Sequence, residues 1–523
     1  IAIKNGALGV LHVTGGKITS NHSAIQNWFE ATITGGEING QLWTDAWKEG
    51  ESVGKTTIGE NAKFTGEIVM DITGSVAPKL EITGGKLDVT NWRITTAAAT
   101  AGAKPAISGG TFTSEVPAEY CADGYIPTKN EGGTYGVKAG AYVAQIGDVK
   151  YETLKDAINA AKSSTSAVTI TLLQDVTVDH QLVIENTNSK AITLDLNSFT
   201  LTSTYAIDTS NTNGSYALVN KTALTVKNGT FAAGQARAIG ALATLTLDGA
   251  TVTQTLTGGH ACVAFCANDT AYTIKNSTIT GAYAVCSFAH NAIITITGST
   301  LNGSGCGLYH NGSNYGLKLT VTDTKINGSL DGAIGNENDP SGVYISGSTA
   351  TVEKGGMQSA SFTNCTIKGA TAIEVKYTNL TLDKCTVEAT VKTPSYSKNN
   401  NGMTALGFAV VSTDNAMNSA TPKPEGTITI TGDGKYTGPV GLGSLASVKT
   451  EYPDFKDETI KVSGGTFTSA VPAEYCATGY IPKDNGDGTY GVKEGVYVAQ
   501  IGDVKYETLQ AAIDAVKANE TIY

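Results

Sequence analysis

The sequence predicts an all-β chain: a right-handed parallel β-helix solenoid in tandem modules, each with a short N-terminal capping helix and a β-hairpin junction. Three observations predict it. First, Ser108–Lys162 reads SGGTFTSEVPAEYCADGYIPTKNEGGTYGVKAGAYVAQIGDVKYETLKDAINAAK, and Ser463–Lys517 repeats it 355 residues later with 12 differences in 55 positions. A unit that long is a tandem module. Second, a shorter motif runs inside it: an alternating apolar triplet, a turn pair rich in Asn, Asp, Gly or Ser, then Thr or Lys and another apolar residue. Copies are LTVKNGTF from Leu224, LTLDGATV from Leu245, YTIKNSTI from Tyr272, ITITGSTL from Ile294 and LTVTDTKI from Leu319. Third, these starts lie 21, 27, 22 and 25 residues apart. A three-strand coil takes roughly 20 residues or a few more, and its turns lengthen without disturbing the stack. The rival fold is a sandwich of antiparallel hairpins. Scarce two-residue hairpin connections, and like residue classes at equivalent positions, favour stacked coils.

Residues 1–114 carry LHVTGGKI from Leu11, ATITGGEI from Ala31 and LEITGGKL from Leu80, and read as the C-terminal part of one module. Period-2 alternation puts Leu224 and Val226 on one side of a strand, Thr225 and Lys227 on the other. Asn228 and Gly229 tolerate positive φ and turn the chain. Residues 115–150, with a turn-rich centre flanked by Tyr and Val, read as a β-hairpin junction. In YETLKDAINAAK, residues 151–162, Leu154, Ala157, Ile158 and Ala161 form one stripe of an amphipathic helix. It directly precedes VTITLL at Val168, so it is expected to cap the complete module 151–469, covering its open core and strand edges. Within that module Ala238, Ala261, Ala284 and Ala372 each precede an apolar partner and are expected to point inward. Roughly thirteen coils about 4.8 Å apart would make the module about 60 Å long. Residues 470–505 repeat the junction, and 506–523, with YETLQAAIDAVK, read as the cap helix of a next module.

Composition narrows the function classes. The formal net charge is -11, and only Arg93 and Arg237 are arginines. Such a field repels nucleic acid and anionic membranes, and polyanions lose the bidentate arginine fork. Proteins and neutral glycans stay open as partners. No apolar run is long enough to span a bilayer. The opening IAIKNGALG enters in the middle of a strand pattern, so the chain is expected to be a fragment, with any signal or anchor outside it.

The cap helix leading into a strand run resembles the right-handed parallel β-helix (pectate-lyase-like) superfamily, which includes pectate lyases, polygalacturonases, phage tailspikes and bacterial adhesins. More narrowly, SGGTFTS, EYCADGY, DGTYGV and VAQIGDVKYETLQAAID resemble motifs of large repetitive surface adhesins of anaerobic gut Firmicutes. The resemblance implies a secreted, non-enzymatic cell-surface repeat protein, an adhesin or stalk that binds host or microbial proteins or glycans. Its tandem modules are expected to contact one another. The alternative is a carbohydrate-active β-helix enzyme, a polysaccharide lyase or glycoside hydrolase. Against it, Gly259-His260-Ala261 lacks the second glycine of the polygalacturonase Gly-His-Gly segment, Arg237 has no acidic cluster around it, and no spacing nominates a carboxylate pair. No catalytic residue and no cofactor is therefore expected.

The remaining candidates each carry a plain reading. His260, His290 and His310 are spaced to fall on neighbouring coils, but without regular ligand spacing they read as isolated side chains on turns or solvated faces. Asp331–Asp339 is oxygen-rich enough to wrap Ca²⁺, as is the turn of Asp484 and Asp487; both read as solvated turns. Cys365 and Cys385 occupy the small-residue slot of two motif copies; stacked on adjacent coils they would be near enough for a disulfide, although parallel side chains in register rarely supply its dihedral. Cys262, Cys266, Cys286 and Cys306 read as small core residues. All four tryptophans, Trp28, Trp43, Trp47 and Trp92, fall in the first partial module. Of these, Trp28, Trp43 and Trp47 are nominated as a ligand-binding patch, because exposed rings bind sugar faces and protein partners.

Overall fold

The computed structural model describes residues 1–46, 53–206, 215–256, 261–329, 341–347, 354–399, 402–413, 426–443 and 459–523. The chain divides into two compact units, Ile1–Tyr142 and Val143–Tyr523. Both are solenoids of mostly parallel strands.

In Val143–Tyr523 each strand pairs in parallel with the strand one coil further on. Val168–Leu172 lies beside Ile192–Asp195, Val176–Val178 beside Thr200–Ala206, and Leu182–Ile184 beside Tyr216–Asn220. Each coil thus gives one strand to each of three sheets, and the parallel pairing excludes the antiparallel sandwich. In the first sheet one inward column runs Ile170, Leu194, Val226, Leu247, Ile274, Ile296, Val321, Phe362, Leu382, Ile430 and Val462. The second sheet runs Val176, Leu201, Phe231, Val252, Ile279, Leu301, Ile326, Ile367, Val387, Tyr436 and Phe467. With the third-sheet column from Leu182 to Val410 these residues make one core. Burying each such side chain contributes about 1.5–3 kcal/mol. The first column has eleven rungs, so the stack is about 50 Å long rather than 60 Å. The even-coil expectation of thirteen fails because Val321 to Phe362 and Leu382 to Ile430 are single steps that carry long insertions.

Length varies least at one of the three corners. From first to second sheet the step is five residues in most rungs, as in Val226 to Phe231, Leu247 to Val252, Ile274 to Ile279 and Phe362 to Ile367. That corner turns on one left-handed residue: Asn228, Gly249, Asn276, Gly298, Asp323, Asn364, Lys384 and Gly432 have φ between 50° and 68°. Asn, Asp and Gly are the residues that adopt this conformation at least cost, which is why the motif shows them there. Turn residues bond the next rung: Asn276 N–H donates to Thr297 O (3.0 Å), Gly298 N–H to Thr322 O (3.1 Å) and Asn364 N–H to Asp383 O (2.9 Å).

Except at Gly432, which is followed by exposed Asp433, the residue after the turn is small. Ala250 N–H donates to Ser277 Oγ (3.1 Å), Ser277 N–H to Ser299 Oγ (3.2 Å) and Ser299 N–H to Thr324 Oγ1 (3.4 Å), while the three hydroxyls donate to Lys275 O, Thr297 O and Thr322 O at 2.8 Å. Cys365 and Cys385 continue the same slot on adjacent rungs, their Sγ atoms facing Thr363 O (3.3 Å) and Asp383 O (3.4 Å). They are free thiols standing in for hydroxyls.

The third sheet is buried on both faces. Ala238, Ala284 and Ala372 belong to the inner core, as expected, but Ala261 belongs to an outer cluster with Tyr216, Tyr283, Cys286, Cys306 and Tyr344. Its neighbour Cys262 takes the inward position instead. Cys266, Cys286 and Cys306 likewise pack in the outer layer rather than the inner core.

Helix Leu154–Lys162 buries the four expected residues Leu154, Ala157, Ile158 and Ala161. Thr153 begins it, its hydroxyl accepting from Asp156 N–H at 3.1 Å. The expected single hairpin at 115–150 is two. Tyr125–Lys129 pairs with Tyr135–Ala139 in the first unit, while Ala144–Ile146 pairs with Val149–Tyr151 in the second and lies antiparallel to Val168–Leu172. The later copy forms the same two hairpins and the helix Leu509–Ala515. There Leu509 and Ile513 are 56% and 49% exposed, against 2% and 9% for Leu154 and Ile158.

In Ile1–Tyr142 the inward columns are Val13, Ile33, Ile58, Ile82 and Ile107, then Ile18, Ile38, Phe64, Leu87 and Phe112. At a third corner Asn5 Nδ2 donates to Asn27 Oδ1 (2.8 Å), and Asn27 Nδ2 to Lys55 O (2.9 Å), a buried amide ladder.

Lys384 is the one first-corner turn residue above with a long side chain in the left-handed region. Lys384→Gly or Lys384→Asn should therefore stabilise the unit by about 0.5–1 kcal/mol. Asn276→Ala should destabilise it by a similar amount. Urea unfolding followed by circular dichroism checks both, and a destabilised Lys384→Gly variant would contradict the corner argument.

Candidate functional site

The outer face of the third sheet in Ile1–Tyr142 gathers most of that unit's unusual side chains. Strands Glu30–Ala46, Lys55–Ile72 and Lys86–Ile94 run in parallel there and put Trp43, Val69 and Arg93 in one row, with Asp45 beside Asp71. The Arg93 guanidinium lies 5.0 Å from the Trp43 ring centroid and its Nε donates to Glu67 Oε1 at 3.2 Å. Glu67 also accepts from Gln41 Nε2 and Asn91 Nδ2, each at 2.7 Å. Burial pushes the Glu67 carboxyl up, but its Asn91, Arg93 and Gln41 donors outweigh that and hold it below the usual range. It stays ionised.

Asp45 behaves oppositely. It is 6% exposed, and burial together with the facing Asp71 carboxylate raises its pKa, against the pull of the Ala46 N–H and the Trp28 indole. Asp71 is better served, accepting from Thr95 Oγ1 (2.8 Å) and Ile72 N–H (2.9 Å). The arrangement is a half-buried aromatic and arginine platform wired to one ionised and one protonation-prone carboxyl. It can hold polar, hydroxyl-bearing ligands along its rim; Asp45 is too enclosed to meet a substrate oxygen directly.

The nominated tryptophans part company. Trp28 and Trp43 are half-buried on this unit, with Lys4 Nζ 4.0 Å from the Trp28 ring and Arg93 over Trp43. One face of each ring is thus taken by the chain's own cation. Trp92 packs on the core and against Tyr120 at 5.2 Å. Trp47 lies outside the described residues. Sequence reasoning missed Glu67, Asp71 and Arg93 as neighbours of Trp43. The middle rung, TTIGENAKF from Thr56, carries one extra residue that shifts its register between Ile33 and Gly35, so it does not scan as a motif copy. The signal was Ile58 and Phe64, which keep the apolar positions on either side of the insertion.

The other candidates resolve singly. His310 is fully buried, in register with Ser287 and Ile345, and is neither on a turn nor solvated as expected. Burial pushes its pKa down to about 3, with a contact from the Asn314 backbone opposing and His290 adding repulsion. His290 stacks on Tyr315 at 4.2 Å. His260 and the loop Asp331–Asp339 lie outside the described residues. Asp484 and Asp487 accept from Gly486 N–H (2.8 Å) and Thr489 N–H (3.0 Å), a self-satisfied turn. Arg237 lies 5.6 Å from the Tyr216 ring. Among the described residues no group of three or more His, Cys, Asp or Glu side chains gathers as a metal site, and no helix is long and apolar enough to cross a membrane.

Two outcomes follow from the shifted groups. The unfolded chain protonates His310 below its ordinary value of 6.5, while the folded chain does so only near 3. Stability is therefore lost as pH falls from about 6.5 toward 3, at up to about 1.4 kcal/mol per pH unit. His310→Gln should flatten that slope in thermal melts taken across this range. For Asp45 the folded state holds its proton to higher pH than the unfolded state, so stability falls as pH rises through that interval. Asp45→Asn should raise the melting temperature at pH 7 and not at pH 3.

Compared with known proteins, the chain matches no family model, and no curated protein is significantly similar to it.

Proposed function

We propose that the chain is a non-enzymatic, right-handed parallel β-helix repeat protein of a bacterial cell surface, an adhesin or stalk that binds host or microbial proteins or glycans. The observation that carries this reading is the uninterrupted first-sheet column from Ile170 to Val462, which keeps its register through steps as unequal as Phe362 to Leu382 and Leu382 to Ile430. Such a rod extends reach by adding rungs, each contacting only its neighbours. In this reading helix Leu154–Lys162 caps the module, and the 55-residue repeat marks tandem modules. The platform of Trp28, Trp43 and Arg93 is the ligand-binding face of the partial module. Eight free cysteines fit a secreted protein of an anaerobic habitat.

A carbohydrate-active enzyme is the second reading. It draws on the ionised Glu67 and protonation-prone Asp45 on one face, since catalytic carboxyls are pushed apart in this way. The burial of Asp45 weighs against it.

A glycan array and a host-protein pulldown with the whole chain, run beside polysaccharide-degradation assays, separate the two. The adhesive reading expects capture without turnover, reduced at least tenfold by Trp43→Ala with the fold intact. Product release abolished by Glu67→Gln and Asp45→Asn would instead establish the enzyme.

A further inference from the structure

Hydroxyls fill the slot after the first-corner turn at Ser277, Ser299 and Thr324, and serve the stack by donating to carbonyls at 2.8 Å. The next two rungs carry Cys365 and Cys385 instead, whose contacts with Thr363 O and Asp383 O are longer, at 3.3 and 3.4 Å. A thiol is the weaker donor, so sulfur gives the stack nothing that serine would not. It brings one property that a hydroxyl lacks, reversible oxidation.

The two slots face each other. Thr363 pairs with Asp383 and Thr366 with Thr386, which sets Cys365 opposite Cys385 on adjacent rungs about 4.8 Å apart. A disulfide spans roughly 4.4–6.8 Å between Cα atoms. The pleat that keeps in-register side chains parallel does not hold this pair, because the strands end at Thr363 and Asp383 and resume at Thr366 and Thr386. Other thiols are placed differently: Cys286 stands beside Ala264 and Tyr309, and Cys306 beside Tyr283.

The two thiols are also unequal. The Cys385 S–H holds the Cys365 thiol below its ordinary range against the effect of burial, while Cys365 and then burial push Cys385 up. Cys365 is therefore the sulfur that ionises first, and the thiolate is the nucleophile. Both cysteines are buried, but each directly follows an exposed turn residue, Asn364 or Lys384, so a local opening of that corner admits a water-sized oxidant.

We propose that Cys365 and Cys385 form an oxidation site at which a peroxide joins two adjacent rungs through a disulfide. The Cys365 thiolate attacks one peroxide oxygen, the O–O bond breaks, and the departing hydroxide takes up a proton to leave as water. The Cys385 sulfur then attacks the resulting sulfenic acid; the S–S bond forms as the S–O bond breaks, and a second water leaves with the Cys385 proton. The sulfurs lose two electrons, the peroxide gains them, and a thiol reductant reverses the step. The rungs so joined lie between the two long single steps, Val321 to Phe362 and Leu382 to Ile430. Oxidation closes the stack at that point and holds the ladder bond from Thr386 N–H to Cys365 O. The proposal goes beyond the adhesive reading and does not depend on it.

The test treats the whole folded chain with a small excess of hydrogen peroxide, alkylates the remaining thiols after unfolding, and maps tryptic peptides by mass spectrometry. Gly355–Lys368 and Cys385–Lys392 carry one cysteine each. They should appear linked, with loss of two hydrogens, while the other six of the eight cysteines stay alkylated. Amide exchange in Cys385–Lys392 should slow at least tenfold on oxidation and recover on reduction with dithiothreitol. Cys385→Ser should abolish the link and leave Cys365 as a sulfenic acid that dimedone traps. Absence of the linked peptide, linkage no more frequent than between other cysteine pairs, or unchanged exchange overturns the proposal. A link that forms only in concentrated urea also overturns it, because the folded stack would then not bring the sulfurs together. Should Cys385→Ser fail to fold, peptide mapping and exchange of the unaltered chain decide by themselves.

Discussion

The left-handed turn between the first and second sheets is the constraint on which the rest of the solenoid depends. In eight of the eleven rungs one residue is held at φ 50–68°, several with the N–H bonded to the next rung, and in all of these but the Gly432 rung the residue after it is small. Five positions then separate the two inward apolar residues in most rungs, so both columns stay aligned. Because this corner is closed by backbone bonds between rungs, it fixes the rise of the coil and leaves the other two corners free to lengthen. Serine, threonine, alanine, glycine and cysteine exchange in the inward slot because volume, more than polarity, decides fit there. Where a hydroxyl or thiol is present it bonds carbonyls two residues back and takes an N–H from the rung before.

Much of the fold was therefore legible in the chain. The turn pair, the flanking apolar alternation and the helix stripe Leu154, Ala157, Ile158 and Ala161 all follow from local geometry that one rung displays by itself. What was not legible depends on register between rungs. The coil count was overestimated because insertions after Leu308 and Val387 read as extra coils. Ala261 and Cys262 exchanged roles because the third-sheet strand puts two successive residues inward, which period-2 alternation does not anticipate. The single junction hairpin became two because nothing local says which strand Ala144–Ile146 pairs with.

The candidate sites were the least legible part. Trp28 and Trp43 were found by their rarity, but their partners Arg93 and Glu67 lie one or two rungs away, in or beyond a rung with one extra residue. His310 has the same lesson in reverse. As a titratable residue it drew a surface reading, whereas its position two beyond Leu308, which points into the core, places it inside, where burial keeps it neutral.

A constant corner beside two elastic ones also shapes how such a chain changes over generations. Every rung offers nearly the same short stretch of sequence at the same structural position, so unequal recombination between two rungs rejoins the chain in frame and in register. The product gains or loses whole coils, and each surviving coil keeps the kind of neighbour it had. Length becomes a heritable dimension that varies without refolding the remainder, while loops diversify at corners the backbone ladder does not police.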